Sequence, residues 1–148
     1  MSREIKFRGK HIHAIPENKH LDGTWVYGYL VDRDYINSPE LEGELFIDEN
    51  TVGQYTGLKD NSDCLLDTDK EKEVYEDDIV TVSNDKITVT GIIKYDLGSF
   101  IIVTNDISDG WTPLINFVEF DGVYQWINGV VIGNIHDNKD LLNGGKGI

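Results

Sequence analysis

The sequence predicts a mostly-β protein built from short antiparallel strands. Apolar residues alternate with polar ones at a period of two far more often than at the helical period of 3.6. Runs rich in aromatic and β-branched side chains are separated by turn residues such as Asp22-Gly23. No long amphipathic helix is predicted before residue 137, so neighbouring strands should pair through hairpins.

The N-terminal half begins with strict alternation over residues 4–8, which places Ile5 and Phe7 on one face of a strand. Residues 25–31 form a longer β-rich run. Residues 44–47 and 52–56 are shorter strand candidates, joined by a hairpin connection.

The C-terminal half predicts a hairpin of residues 78–83 and 87–95, with Asn84-Asp85 as its turn. The later strand candidates are residues 99–104, 115–120 and 126–135. Residues 137–142 predict a short C-terminal helix with Asp137 as its N-cap. Residues 143–148 contain three glycines and predict a flexible tail.

A length of 148 residues suits one domain or two small lobes. We expect residues 1–73 to form a β-meander-like lobe that carries an acidic insertion. Residues 74–142 have the strand number and spacing of a small SH3-like barrel.

Charge is the strongest compositional feature, because 27 acidic residues outnumber 13 basic ones and give a net charge of −14. Such a chain repels nucleic acid at long range unless its few cations cluster. The basic residues near the N-terminus fit better as the solvated face of a strand. Direct nucleic-acid binding is therefore disfavoured.

The single Cys64 cannot form an internal disulfide, which suits a reducing cytoplasm. No stretch approaches the roughly 20 apolar residues of a membrane span. The charged N-terminus does not fit a secretory signal. We expect a cytoplasmic protein without a membrane association.

No metal site or cofactor is predicted. Residues 67–71 resemble the opening of a calcium loop, but Lys72 and Asp78 stand where an EF-hand needs Gly and Glu. His11 and His13 share a strand face, yet no further ligand has a zinc-site spacing. The favoured interpretations are a solvated acidic loop and exposed histidines.

No catalytic residue is predicted either. The carboxylates of Asp63 and Asp67 next to Cys64 disfavour a reactive thiolate. Residues 53–57 lack the Gly-Lys-Ser/Thr of a phosphate loop, and no Ser-His-Asp arrangement is recognisable.

Three aromatic residues, Trp25, Tyr27 and Tyr29, alternate along one predicted strand and so share a face. A single-stranded nucleic-acid platform would need cations around them, whereas aspartates flank this strand. A face packed against the core or another subunit is favoured. These residues are the candidate interface of a homo-oligomer.

Several segments together resemble the YopX family of phage and prophage proteins. They are REIKFRGK at residues 3–10, GTWVYGYL at 23–30, TVGQYTGLKDN from residue 51, EVYEDDIVTV from residue 73 and VIGNIHDNKDLL at 131–142. The resemblance implies no biochemical activity. It marks positions of unknown role, which are Gln54, Tyr55, Thr56, Gly57, Leu58, Asp60, Tyr75, Asp78, Gly133 and Asn134.

The chain departs from the family pattern in two places. Relatives have a shorter, glycine-containing connection where this chain carries the acidic insertion at residues 63–72. The family pattern also favours glycine where this chain has Asp77.

The function expected from these features is that of a phage protein–protein interaction module that forms a homo-oligomer, with a host or phage protein as a further partner. Two alternatives stay open. One is an acidic DNA mimic that inhibits a host DNA-binding protein, which the charge of −14 permits. The other is an enzyme with an unrecognised carboxylate site.

Overall fold

Antiparallel strands and tight turns account for most of the residues that the computed structural model describes, which are 5–12, 23–39, 43–59, 73–120 and 124–138. The chain divides into two compact units, Met1–Tyr55 and Thr56–Ile148. The mostly-β prediction is confirmed, and the described residues contain no α-helix. None of their helical turns is long or apolar enough to cross a membrane.

The first unit contains a sheet with the strand order β4-β3-β2-β1-β5. Its strands are β1 (Phe7–Lys10), β2 (Trp25–Asp32), β3 (Tyr35–Ser38), β4 (Gly43–Phe46) and the first residues of β5 (Gly53–Lys59). The predicted hairpin between residues 44–47 and 52–56 was wrong, because β4 pairs with β3 and β5 pairs with β1. A 3-10 turn, Glu49–Thr51, connects the two strands instead, and Asp48 caps it by accepting from the Asn50 N–H.

The residues that follow β4 return to β1 and form a seam there. An isolated antiparallel bridge joins His11 to Ile47. The backbone N–H of Ile12 donates to Phe46 O at 3.1 Å, and that of Asp48 donates to Lys10 O at 2.9 Å. The seam thus satisfies backbone groups that a simple meander would leave unpaired.

Side chains on one face of this sheet form the core of the first unit. Val26, Ile36, Leu45 and Ile47 are buried, and Phe7, Leu30 and Val52 pack against them. Gly28 is required in the middle of β2, because a Cβ there would overlap the carbonyl oxygen of Asn37. The alternation predicted for residues 25–31 therefore separates a core face from an outward face.

Within its described residues, the second unit contains the rest of β5 and eight further strands. These are β6 (Glu73–Tyr75), β7 (Asp78–Ser83), β8 (Thr88–Asp96), β9 (Ser99–Val103), β10 (Trp111–Pro113), β11 (Val118–Phe120), β12 (Tyr124–Trp126) and β13 (Gly129–Asn134). Their main sheet has the order β10-β9-β8-β7-β13, while β11 and β12 pair separately. Its core includes Val80, Val89, Ile93, Ile102 and Phe117.

The sheet of the second unit is open among the described residues, so the closed SH3-like barrel is not confirmed. The predicted strand at 115–120 is a 3-10 turn, Leu114–Phe117, followed by the short β11. The predicted strand at 126–135 is interrupted by a bend at Ile127 and Asn128.

The predicted C-terminal helix is not confirmed, because residues 135–137 form a turn. Asn134, rather than Asp137, caps this turn: its Oδ1 accepts from the N–H groups of His136 and Asp137, both at 2.9 Å. Residues 139–148, which include the rest of that helix and the predicted tail, lie outside the described residues. The chain passes from one unit to the other within β5.

Candidate functional site

The three predicted interface residues lie on the outward face of β2, as their alternation indicates. Tyr27 and Tyr29 are 36% and 54% exposed, while Trp25 is partly buried. The neighbouring β3 adds Tyr35, which is 39% exposed and whose ring centroid lies 5.3 Å from that of Phe46. The outward face therefore presents several aromatic rings to solvent.

Basic side chains of β1 and the residue before it occupy the same face, because paired residues in an antiparallel sheet share a face. Arg8 pairs with Tyr27, and Lys10 pairs with Trp25. The Arg8 guanidinium carbon lies 4.4 Å from the Trp25 ring centroid, and Lys10 Nζ lies 5.4 Å from it. These distances are typical of cation–π contacts.

Lys6 repeats this arrangement at the other side of β1, with Nζ 5.2 Å from the ring centroid of Tyr55. We call the whole surface the aromatic–cation face. Its members are Lys6, Arg8, Lys10, Trp25, Tyr27, Tyr29, Tyr35, Phe46 and Tyr55. Arg8 and Tyr55 are buried, whereas Lys6 and Lys10 are partly exposed.

The described motif positions in β5 are placed by strand pairing, burial and backbone conformation. Gln54 pairs with Phe7 of β1, and Tyr55 is buried. The buried Thr56 donates from Oγ1 to Val74 O at 2.8 Å and accepts from the Leu58 N–H at 3.1 Å. Gly57 has φ 90°, a left-handed conformation that favours glycine, and Leu58 joins the core of the second unit.

Four other motif positions converge at one end of the second sheet. Asp78 accepts from the Tyr75 N–H at 2.8 Å, and the Tyr75 hydroxyl donates to Glu73 at 3.0 Å. Gly133 and Asn134 of β13 pair with Ile79 and Asp78 of β7. These residues fix the start of β7 beside the end of β13.

Sequence reasoning missed the charged cluster that forms at this end. Asp77 is 7% exposed and accepts from Lys94 Nζ at 2.7 Å through Oδ1 and from His136 Nε2 at 3.0 Å through Oδ2. Its φ is 76°, a left-handed conformation that favours glycine, which is the residue expected here from the family resemblance. The noted departure from glycine was the signal that could have pointed to it.

His11 is a buried residue of the seam, so the prediction that it is exposed was wrong. Its Nδ1 lies 2.7 Å from Phe46 O, and because a carbonyl accepts, Nδ1 donates. Its Nε2 is buried and has no hydrogen-bond partner among the described residues. The ring therefore holds the seam through the hydrogen bond that Nδ1 donates to Phe46 O.

The described residues offer little further chemistry. No group of three His, Cys, Asp or Glu side chains in them could hold a metal ion. An open groove of about 420 Å³ in the second unit is lined by residues that include Lys86, Ile87, Phe117 and Ile127. Outside the described residues lie Asp60, the acidic insertion, Cys64, His13 and His20.

Comparison with known proteins supports the resemblance seen in the sequence motifs. The YopX family model, described as YopX protein, matches residues 17–143. The match does not include residues 3–10, one of the segments on which the resemblance rested. Neither curated proteins nor solved structures gave a match. Because the match covers most of the chain, the protein belongs to the YopX family.

Proposed function

We propose that the chain is a protein–protein interaction module that forms a small homo-oligomer through the aromatic–cation face. The supporting observation is the exposure of Tyr27, Tyr29 and Tyr35 on one side of a sheet whose other side is packed as a core. Aromatic side chains grouped on a surface are typical of interfaces, because they combine a large apolar area with a polar handle.

The energy balance allows this association despite the net charge of −14. A stable interface buries roughly 800 Å² on each subunit. Burying a large apolar side chain stabilises by about 1.5–3 kcal/mol. Repulsion between like-charged subunits is screened beyond about 8 Å at physiological salt. Contact over the exposed tyrosines should therefore outweigh the repulsion.

The setting we propose is the cytoplasm of a bacterial host, with the protein encoded by a phage or prophage and with a host or phage protein as a further partner. This setting rests on the family resemblance and on the reducing compartment that a lone Cys64 suits. No membrane association is proposed.

The sheet of the second unit fits an SH3-like barrel that is left open. The support is the strand order of the sheet. Strands β7, β8, β9 and β10 pair in sequence order, and the last strand of the sheet, β13, returns to pair with the free side of β7. The 3-10 turn at Leu114–Phe117 comes directly after β10 and before the chain reaches β13. Because one fold serves many functions, this likeness names no activity.

The enzyme alternative has one observation in its favour, the contact between Asp77 and His136. A carboxylate that orients an imidazole is a common arrangement for a general base. A hydrolase screen that detects activity lost in His136→Gln would promote this alternative. The DNA-mimic alternative needs an array of carboxylates on one surface and stays a prediction.

Light scattering after size-exclusion chromatography tests the self-association. At physiological salt, about 0.15 M, we expect a dimer or a larger closed species at tens of micromolar protein. The double substitution of Tyr27→Ser and Tyr29→Ser should shift the mass towards a monomer. Tyr95→Ser is the matched control, because Tyr95 is 46% exposed in the second unit. A monomeric wild-type protein would refute the homo-oligomer.

A further inference from the structure

We propose that the groove of the second unit binds a free amino acid with a large apolar side chain. The groove has a volume of about 420 Å³, within the range of small-molecule sites. This inference goes beyond the interaction module and does not rest on it, because none of the described residues that line the groove belongs to the aromatic–cation face. It is carried by a fixed frame, an apolar lining and one charge of each sign.

The side chains of two asparagines fix the frame of the groove. Asn84, in the turn between β7 and β8, accepts through Oδ1 from the N–H groups of Lys86 at 2.8 Å and Ile87 at 2.9 Å. Its Nδ2 donates to Asn116 O at 3.0 Å, and Asn116 Nδ2 donates to Thr112 Oγ1 at 3.2 Å. These bonds join the β7–β8 turn to the 3-10 turn that follows β10. The groove is therefore formed before a ligand binds, which lowers the cost of binding.

Part of the lining is apolar. Phe117 is buried, whereas Ile87 and Ile127 are 39% and 43% exposed. The backbone N–H of Ile127 donates to Phe117 O at 2.9 Å, which holds these two residues together. An apolar side chain that covers the two isoleucines removes apolar surface from water on both partners, which is favourable.

The charged part of the lining is one residue of each sign, Asp85 and Lys86. Among the residues that the structure describes, neither side chain has an ion-pair partner. Because the two residues are consecutive, their Cα atoms lie about 3.8 Å apart. An amino acid carries its ammonium and its carboxylate on a single carbon, so its two charges are separated on a similarly short scale.

This charge balance favours a zwitterion over other ligands. A polyanion would meet the carboxylate of Asp85 beside the single cation, and a simple cation would find many other carboxylates on a chain of net charge −14. In a zwitterion the α-carboxylate faces Lys86 and the α-ammonium faces Asp85, while the side chain covers Ile87 and Ile127. Such complementarity provides specificity, and the apolar contact provides most of the affinity.

A nuclear magnetic resonance titration of the isotope-labelled whole chain with L-phenylalanine tests the inference. The side-chain amide signals of Asn84 and Asn116, and the backbone signals of residues 84–87, should shift saturably. We expect a Kd of about 1 mM, the scale of affinity for a ligand of this size in an open site.

Three analogues separate the contributions of the ligand's groups. Phenethylamine lacks the carboxylate and phenylpropionate lacks the ammonium, so each should bind about two- to fivefold more weakly than L-phenylalanine, the effect of one exposed ion pair. Glycine should bind at least about tenfold more weakly, because it has no side chain to bury.

Substitutions at the charged residues form matched pairs with these analogues. Lys86→Gln should weaken L-phenylalanine about two- to fivefold and leave phenethylamine unchanged, because phenethylamine has no carboxylate to lose. Asp85→Asn should leave phenylpropionate unchanged in the same way. Asp96→Asn is the control, because Asp96 is exposed at the end of β8 and should affect none of the compounds.

The apolar contact has its own variant. Ile127→Ser should weaken the three compounds that carry a phenyl ring, whereas Ile132→Ser, at a residue 44% exposed in β13, should not. The dispersion of each variant's amide spectrum should match that of the wild type, so that a loss of binding is not a loss of folding.

The inference is overturned by any of three results. These are the absence of saturable shifts in residues 84–87, an affinity for either single-charge analogue that equals the affinity for L-phenylalanine, or a Lys86→Gln loss that is the same for phenethylamine. The first two are measured on the wild-type chain and do not depend on the folding of a variant. A monomer that binds L-phenylalanine refutes self-association alone, and an oligomer that does not bind it refutes this inference alone.

Discussion

The two units hold their buried charges in different ways. In the first unit the cationic Arg8 lies against the ring of Trp25, on the sheet face that also carries Tyr27 and Tyr29. In the second unit the anionic Asp77 lies at a turn and is met by two basic side chains, Lys94 and His136. A ring face thus compensates the cation without a hydrogen-bond acceptor, whereas the carboxylate is compensated by directional hydrogen bonds to basic groups.

The largest expected effects on the free energy of unfolding come from substitutions in the two cores, which can be measured separately. Ile36 and Ile93 are both fully buried, one in each unit, so each substitution to alanine should cost about 2–5 kcal/mol. Trp25 reports on the first unit, and Trp126 on the second. We expect Ile36→Ala to move the urea transition of Trp25 fluorescence, and Ile93→Ala that of Trp126.

Single-tryptophan variants, with the other tryptophans changed to phenylalanine, make this measurement possible. If either alanine substitution moves both transitions by the same amount, the two units unfold as one cooperative body. The two units would then differ in their surfaces but share a single free energy of unfolding.

A smaller effect is expected at Asp77. Asp77→Ala removes the acceptor for Lys94 and His136 and keeps the strained φ of 76°, so it should cost about 1–3 kcal/mol. Asp77→Gly removes the same bonds but relieves the backbone, and should recover about 1 kcal/mol of that loss. Urea unfolding, monitored by the fluorescence of Trp126, measures the free energy of unfolding of both variants.

Leu97 is the matched control for the backbone part of this effect. It has φ 49°, and its side chain is 98% exposed. Leu97→Gly should therefore change stability by no more than about 1 kcal/mol, in the stabilising direction. If Asp77→Gly lowers the free energy of unfolding more than Asp77→Ala does, backbone strain at Asp77 does not contribute to stability as we expect.

The smallest expected effect is a difference in stability between two substitutions in the seam of the first unit. His11→Asn places an amide donor where Nδ1 stands and removes the buried, unpartnered Nε2. His11→Gln places its amide near Nε2 and leaves Phe46 O without that donor. We expect His11→Gln to cost about 1–3 kcal/mol and His11→Asn to cost less. Equal losses, measured by urea unfolding with Trp25 fluorescence, would mean that ring volume rather than the hydrogen bond matters.

Local patterns in the sequence predicted much of the fold. The strand Asp78–Ser83 was predicted at its observed bounds, because its apolar run is closed by the turn at Asn84-Asp85. The observed Tyr35–Ser38 strand was missed, since Tyr35-Ile36-Asn37-Ser38 is too short and polar to stand out from a loop. Residues 115–120 alternate weakly, and a 3-10 turn occupies their first half.

The candidate site was predicted only in part, because contacts between distant segments leave no local signal. Alternation placed Trp25, Tyr27 and Tyr29 on one face, as observed. It could not reveal that Lys10 of β1 lies over Trp25, since that depends on strand pairing. The meeting of Asp77 with His136, far apart in the sequence, is hidden for the same reason.

The pairing of β13 with β7 also has a consequence for how the chain leaves the ribosome. β7 can pair with β8 as soon as the turn at Asn84 is made, but its other edge waits for residues more than forty positions later. At about 5–20 residues per second, that edge stays open on the nascent chain for several seconds. An open strand edge recruits other chains. Premature termination before Gly129 would leave it open permanently, so truncated products should aggregate during translation.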